Sequence, residues 1–186
     1  VGRLQGHPRG YGFVVSDTIG VEDVFIPANS INGAMHQDKV IARINEVDTS
    51  SRRAEGEIIR IIERANVEIV GVYEDSKSFG FVIPDDKKIN VDIFIPKADK
   101  NGAKDGDKVV CEIVQWPERR RNPEGKVIEI LGHENDPGTD ILSIMRKFKL
   151  NPEFPRKVRK EIKDIPEMVS QEEISQRVDL RNLTMI

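Results

Sequence analysis

The chain has 186 residues, of which 38% are hydrophobic and 33% charged, and its formal net charge at pH 7 is −3. No run approaches the ~20 apolar residues that a membrane-spanning helix requires, so no membrane partner is expected. The small acidic excess argues against nucleic-acid binding through a general positive field, so any such binding would have to come from local basic patches and from stacking.

The first third of the chain predicts five short strands separated by turn residues, near residues 1–5, 10–16, 22–27, 39–45 and 55–63. The second strand carries Tyr11 and Phe13, and the third carries Phe25. Because alternate side chains of a strand share a face, the two aromatic rings of the second strand lie together, with Gly12 and Val14 behind them.

The next part of the chain repeats this pattern, with strands predicted near residues 67–74, 78–83, 91–95, 107–115 and 124–131. Residues 23–27 and residues 92–96 are nearly identical and lie 69 residues apart, as do Asp38 and Asp107. A period preserved from strand to strand indicates two tandem domains of one kind. We therefore predict a mainly β protein with two five-stranded antiparallel barrels of the OB-fold, which binds oligonucleotides through its second and third strands and two of its loops.

A helical pattern follows residue 135. Apolar spacing predicts one helix over residues 139–150 and another over 155–164, and a capping box at Ser170 and Glu173 starts a third that reaches about residue 180. These helices are amphipathic and need a partner surface. Since the chain begins at Val1 and ends in a strand-like segment, we expect it to be a fragment of a longer protein.

Residue types with catalytic or metal-binding potential form no matching pattern. Cys111 alternates with Val109 and Ile113 and is predicted to fill a core, which fits a reducing cytoplasm. The three histidines lack metal-ligand spacing and are expected on the surface or in loops. A two-metal nuclease site requires carboxylates that converge on the metal ions, and the acidic pairs of this sequence share no face. Neither a catalytic residue nor a metal site is predicted.

The aromatic motifs resemble those of cold-shock domains, in which a basic residue precedes alternating glycine and aromatic residues and an aliphatic-Phe-aliphatic triplet follows on the next strand. Two such copies, the helical stretch and Arg-Val-Asp-Leu-Arg at 177–181 resemble the N-terminal part of the ribonuclease II/R family of 3′-to-5′ exoribonucleases, over essentially the whole chain. The resemblance implies magnesium-binding aspartates soon after residue 186 and a further RNA-binding barrel beyond them. Mg²⁺ is thus expected for the parent enzyme and no cofactor for this fragment.

The resulting division is a first cold-shock domain at 1–65, a second at 66–135, and a helical linker with the start of a truncated catalytic domain at 136–186. An alternating strand does not tell which of its faces is buried, so core packing is the alternative for the aromatic rings. Exposure is favoured because the opposite face carries aliphatic residues that can fill a core. The arginines at 119–121 fit either phosphate contacts or a solvated hairpin tip. The predicted RNA-binding residues are Arg9, Tyr11, Phe13, Phe25, Lys77, Phe79, Phe81, Phe94, Arg119, Arg120 and Arg121.

The leading hypothesis is the single-stranded RNA-binding portion of a processive, hydrolytic 3′-to-5′ exoribonuclease, which guides RNA into a catalytic channel and is itself inactive. Its expected partners are single-stranded RNA and the rest of its own chain, a catalytic domain and a C-terminal RNA-binding barrel. One alternative is a stand-alone RNA chaperone or translation-associated RNA-binding protein, which would not need three amphipathic helices. Another is a protein-interaction module whose aromatic residues dock a partner.

Overall fold

The computed structural model describes residues 1–48, 53–118, 121–151 and 153–178. All ten predicted strands are present, with bounds within a few residues of those expected from the sequence. The first five are β1 (Gly2–Gly6), β2 (Gly12–Ser16), β3 (Val24–Ile26), β4 (Lys39–Asp48) and β5 (Arg53–Glu63). The second five are β6 (Glu68–Asp75), β7 (Phe79–Pro84), β8 (Ile93–Pro96), β9 (Asp107–Gln115) and β10 (Glu124–His133).

The strands form two closed five-stranded barrels, which confirms the predicted fold class. The first has the strand order β1-β2-β3-β5-β4, and β4 pairs with β1 to close it; the second has the order β10-β8-β7-β6-β9 and closes through β9 and β10. In each barrel four strand pairs are antiparallel, whereas the short β3–β5 and β8–β10 pairs are parallel. The last strand of each barrel is antiparallel to the strand before it. It therefore runs in the same direction as the third strand, beside which it lies.

Each barrel has a small aliphatic core to which the second and third strands contribute one face. In the first barrel this face supplies Val14, Val24 and Ile26, and in the second barrel it supplies the equivalent side chains Val82, Ile93 and Ile95, all buried. The aromatic residues of the same strands therefore point outward, and core packing of these rings is excluded. Cys111 is fully buried, and burial raises the pKa of its thiol to about 12, as expected of a core filler.

A glycine in the middle of the aromatic motif lets a core side chain fill the space beneath the strand. A Cβ added at Gly12 would lie 2.7 Å from Leu4 Cδ1, and one added at Gly80 would collide with the ring of Tyr73. Tyr73 is completely buried, and its hydroxyl donates to Asp75 Oδ1 at 2.9 Å. The motif glycine is thus a packing requirement, because β1 and β6 each send a large side chain under it.

The two barrels meet along a seam that residues of the first barrel help to build. The buried carboxylate of Asp38 accepts hydrogen bonds from the backbone N–H groups of Met35 and Ala65 and from Arg64 Nη1, each at 2.9 Å. The guanidinium carbon of Arg64 lies 4.4 Å from the ring centroid of Trp116 in the second barrel. Met35 belongs to the hydrophobic core of the second barrel. The connection between the barrels is therefore held in place on both sides.

Three helices follow the barrels, α1 (Thr139–Lys147), α2 (Arg156–Lys163) and α3 (Gln171–Ser175). Residues 1–150 form one compact unit and residues 151–186 a second. Helix α1 contacts β6, β9 and β10, with Arg146 paired to Glu129 at 2.7 Å. In the second unit, Ser170 Oγ accepts from the backbone N–H of Glu173, so the predicted cap is confirmed. Among the described residues, no helix is long and apolar enough to cross a membrane.

Helix α1 turns a polar face, and not its apolar face, towards the second barrel. The apolar face predicted to seek a partner stays open, since Ile141 is 60% exposed and Phe148 66% exposed, whereas Thr139 and Ser143 are buried. Thr139 lies against β10, since a Cβ added at Gly132 would lie 2.7 Å from Thr139 Oγ1, and within the helix Ser143 Oγ donates to the Thr139 carbonyl oxygen at 2.8 Å. Periodicity located the helix, but it did not show which face the second barrel would cover.

Candidate nucleic-acid interface

The first barrel presents a cluster of aromatic rings, which we call the first platform, formed by Tyr11, Phe13, Phe25 and His7. Phe13 and Phe25 are directly paired on β2 and β3, with ring centroids 5.5 Å apart. Tyr11 lies 6.0 Å from Phe13 and 5.7 Å from Phe25. The three predicted rings are half-buried against one another, with their outer surfaces open, as a stacking surface requires.

His7 is a member of this platform that the sequence pattern did not identify. Its ring stacks on Tyr11 with 4.2 Å between centroids and 10° between planes. The β1–β2 turn brings the two residues together, because the His7 N–H donates to the Tyr11 carbonyl oxygen at 2.8 Å and Gly10 adopts a φ of 91°. The spacing of four residues across a glycine turn is the signal that could have found it. Arg9 lies exposed in this turn, beside the platform.

The second barrel repeats the cluster as a second platform, formed by Phe79, Phe81 and Phe94. Phe81 and Phe94 are paired on β7 and β8 with centroids 5.9 Å apart, and Phe79 lies 5.5 Å and 5.6 Å from them. Phe79 is 37% exposed, and the exposed Lys77 precedes it. In the tight turn before this strand the N–H of Ser76 donates to the Phe79 carbonyl oxygen, so Ser76 stands where the first barrel has His7. This platform therefore has one stacking ring fewer.

The β9–β10 hairpin forms a wall beside the second platform. A groove of about 660 Å³ is lined by Phe81, Phe94, Trp116 and Arg121, among others. Trp116 is half-buried and was not among the predicted site residues, although it is the only tryptophan and lies close to the arginine run. The structure places Arg121, exposed, at the edge of this groove. The other two predicted arginines, Arg119 and Arg120, lie outside the described residues.

The positive charges around the second platform are partly offset by carboxylates. A cavity beside Phe79 is lined by Lys77, Lys97 and Lys100, but also by Asp75 and Asp105. Lys100 is paired with Asp75 at 3.3 Å, and hydrogen bonding from the Tyr73 hydroxyl lowers the pKa of the Asp75 carboxyl, so this charge persists. Cations are therefore close to the rings without creating a strongly positive field, and stacking has to supply much of any affinity.

One of the acidic pairs in the sequence, Asp85 and Asp86, is engaged in ion pairs. Asp85 is paired with Lys108, and Asp86 is paired with Lys147 of helix α1 at 3.1 Å. Across the part of the chain that the structure describes, no group of three or more His, Cys, Asp or Glu side chains could hold a metal ion. The described residues therefore do not fit magnesium.

Family models match the first barrel and most of the second barrel. Residues 2–61 match the family model described as the ribonuclease B OB domain, and residues 81–155 match the cold shock domain model. The chain is 35% identical over 189 residues to ribonuclease R of Thermotoga maritima and 32% identical over 185 residues to that of Escherichia coli. Both alignments cover 100% of this chain but only 26% and 22% of the relatives, so the chain spans about a quarter of their length.

Solved structures give the same fold. Mycoplasma genitalium RNase R, in complex with ribose methylated single-stranded RNA, matches 92% of this chain and 27% of its own with a TM-score of 0.76 at 18% identity. Yeast Ssd1, described as a pseudonuclease, matches 84% of this chain and 26% of its own with a TM-score of 0.68 at 20% identity. At these identities the structural likeness supports the architecture of the two barrels.

Proposed function

We propose, from the premise that this chain matches the N-terminal OB-domain region of ribonuclease R over its whole length, that it is the single-stranded RNA-binding portion of a processive 3′-to-5′ exoribonuclease. In this proposal the barrels hold RNA and guide its 3′ end towards a catalytic channel. Its partners are then single-stranded RNA and the catalytic and C-terminal RNA-binding parts of the same longer protein. The ribonuclease R relatives favour this function over a stand-alone RNA chaperone.

The observation that carries the proposal is the outward orientation of the aromatic residues on the second and third strands of both barrels. Each platform covers a hydrophobic core to which its own rings do not belong, so the rings are available to bases. Stacking of a base on an aromatic side chain contributes about 1–3 kcal/mol and is tolerant of sequence. It also needs no positive net charge, which suits a chain with a net charge of −3.

Hydrolysis and the magnesium requirement belong, in this proposal, to the catalytic part of the longer enzyme. Asp85 and Asp86 are engaged in ion pairs with Lys108 and Lys147, and within the described residues no group of three or more His, Cys, Asp or Glu side chains could hold a metal ion. This chain's own residues would bind RNA, orient it and hold it in single-stranded form. We assign the protein to the cytoplasm because its one cysteine is a buried, unpaired thiol, as expected in a reducing compartment.

Fluorescence anisotropy with a labelled RNA of about 12 nucleotides tests the proposal, since OB-folds cover roughly 4–16 nucleotides each. The chain is expected to bind the single strand more tightly than a blunt duplex of the same sequence, because paired bases cannot leave the helix to stack on the platforms. Equal or tighter binding of the duplex would contradict the stacking function. Absence of RNA binding at low salt would favour the protein-interaction alternative.

A further inference from the structure

The seam between the two barrels contains a cleft of about 680 Å³, which we call the inter-barrel cleft. Tyr11 and Asn29 of the first barrel line one side, and Lys88 and Asn90 of the β7–β8 loop line the other. Arg121 and Asn122 of the β9–β10 hairpin also line it. A volume of this size is within the range of about 300–1,000 Å³ typical of small-molecule sites.

Close backbone contacts between the barrels give the cleft a defined shape. A Cβ added at Gly6 would lie 2.7 Å from the Lys88 carbonyl oxygen, and one added at Gly33 would collide with the Pro117 carbonyl oxygen. A Cβ at Gly10 would lie 3.1 Å from Asn90 Nδ2. Glycine at these positions lets the second barrel approach the first, so the cleft exists before any ligand binds.

The inter-barrel cleft is continuous with both platforms. Tyr11 belongs to the first platform and also lines the cleft. Arg121 and Asn122 line the cleft and, on their other side, the groove that contains Phe81 and Phe94. A strand of RNA that leaves one platform for the other would therefore pass the mouth of the cleft.

The polar groups of the cleft suit a nucleotide. Asn90 and Asn122 both line the cleft, and both are exposed. An amide offers a donor and an acceptor side by side, the combination that pairs with a base edge. Lys88 and Arg121 are exposed at the same cleft and can meet a phosphate.

We propose that the inter-barrel cleft is a nucleotide subsite, in which one unstacked nucleotide of a single-stranded RNA crossing between the platforms places its base edge against the amides of Asn90 and Asn122. This subsite rests on the RNA-binding function proposed above and adds base readout to it. In this proposal the platforms supply affinity for any RNA sequence, and the cleft supplies a preference for one base over the others.

The test compares the wild-type chain with Asn90→Ala, Asn122→Ala and the double variant, using labelled oligo-A, oligo-U and oligo-C of about 12 nucleotides. A good base-edge contact discriminates by about fivefold or more, so the double variant should lose at least about fivefold in affinity for the preferred base and little for the others. Asn135→Ala is the matched control, because Asn135 is an exposed asparagine outside the cleft. Its affinities should equal those of the wild-type chain.

An abasic nucleotide placed at successive positions of the preferred oligonucleotide locates the contact. The wild-type chain should lose affinity at one position, and the double variant should be insensitive there. An equal loss for all three homopolymers, or no loss for any, would overturn the subsite while RNA binding by the wild-type chain continued to support the broader function. If the wild-type chain binds none of the oligonucleotides, both proposals fail.

Discussion

A stacking ring is useful to RNA only if the barrel does not need it for its own core. At Phe13 and Phe81 the neighbouring residues on the strand, Val14 and Val82, point inward and are buried, so each ring lies over a core that is already filled. Such a ring can be removed with little cavity cost, unlike a core side chain, whose loss typically costs about 3–5 kcal/mol for a phenylalanine. Function and stability are therefore separable at these positions.

Phe13→Ala and Phe81→Ala should each weaken single-stranded RNA binding by about 1–3 kcal/mol, because each removes one base-stacking surface. The free energy of unfolding should change much less than for a buried phenylalanine. Anisotropy and urea denaturation measure the two quantities. Phe148→Ala serves as a control, since Phe148 is 66% exposed at the end of α1 and belongs to neither platform. Variants that lost several kcal/mol of stability but kept RNA affinity per folded molecule would show that the rings act structurally.

Some site residues could not be predicted because their roles depend on contacts between elements. The alternation of strands β2 and β7 sufficed to place the phenylalanines on one face. His7 acquires its role only through the turn that stacks it on Tyr11, and Trp116 only through the hairpin that sets it beside the second platform. Tyr73 illustrates the opposite case, since an aromatic residue adjacent to the motif fills the core.

At the scale of elements, the β9–β10 hairpin is where charge can add to stacking. Arg121 lies at the edge of the groove beside Phe81 and Phe94, and its backbone N–H donates to the Glu118 carbonyl oxygen at 2.9 Å. This position is the loop between the last two strands, one of the two loops with which OB-folds bind oligonucleotides. Arg121 is therefore placed where phosphates would leave the second platform.

Replacing Arg119, Arg120 and Arg121 together with Gln should flatten the dependence of RNA affinity on salt. Each phosphate contact to a single strand contributes about 0.7 to the slope of log affinity against log salt. A control variant, Arg43→Gln with Arg60→Gln, removes exposed charge from β4 and β5, which do not carry a platform. The slope of log affinity against log salt for this control should stay close to that of the wild-type chain. An unchanged slope in the triple variant would assign the arginines to a solvated hairpin tip.

The loop between β3 and β4 contains the one histidine that is buried, so its loop position agrees with the expectation while its burial could not be read from the sequence. His36 Nδ1 accepts a hydrogen bond from the Gly6 N–H at 3.2 Å, and burial lowers the pKa of its imidazole below the ordinary 6.5. Asp86 opposes this shift, whereas Lys88 and Lys147 add to it. The fold therefore favours the neutral ring.

Because the folded chain binds this proton less readily than the unfolded chain, the stability that neutral His36 contributes is fully present above pH 6.5. It should be lost as pH falls from that value towards the lowered pKa. Urea denaturation between about pH 8 and about pH 5 measures the effect. His36→Gln lacks the titrating group, so its stability should fall less over the same range. An equal fall in both chains would contradict the prediction.

Strand and helix positions followed from local pattern because alternation and 3.6-residue spacing are local properties. The association of the barrels did not, since it depends on side chains that cross from one repeat to the other. Met35 reads as part of a polar loop in the sequence, yet it packs in the core of the second barrel. A repeat pattern predicts two similar units and contains no information on the seam that joins them.

For the molecule as a whole, the described residues support binding and positioning. The chain should bind single-stranded RNA modestly and leave it intact with or without added magnesium, because no described cluster of carboxylates fits two metal ions. End-labelled RNA incubated with purified chain measures this on a gel. Magnesium-dependent shortening from the 3′ end that was lost on replacing Asp85 and Asp86 with Asn would reveal an active site in these barrels.

The seam between the barrels also determines whether the two platforms can bind one RNA strand at the same time. Arg64 joins the buried Asp38 carboxylate of the first barrel to the Trp116 ring of the second, and it donates to the Gly33 carbonyl oxygen at 2.8 Å. Platforms held at a fixed separation bind a spanning RNA with a high effective concentration at the second site. Loosening the seam should therefore reduce the advantage of long RNA over short RNA.

Arg64→Met keeps much of the side-chain volume but removes the ion pair and leaves the Asp38 carboxylate buried without its cation, so some loss of stability is expected. Among folded molecules, affinity for an RNA of about 6 nucleotides, which one platform can hold, should change little, whereas affinity for one of about 16 nucleotides should fall towards the short-RNA value. Arg43→Met is the matched control, because Arg43 pairs with Glu57 within a single barrel. If Arg64→Met weakened binding of both lengths equally, or of neither, the seam would have no part in presenting the two platforms to one strand.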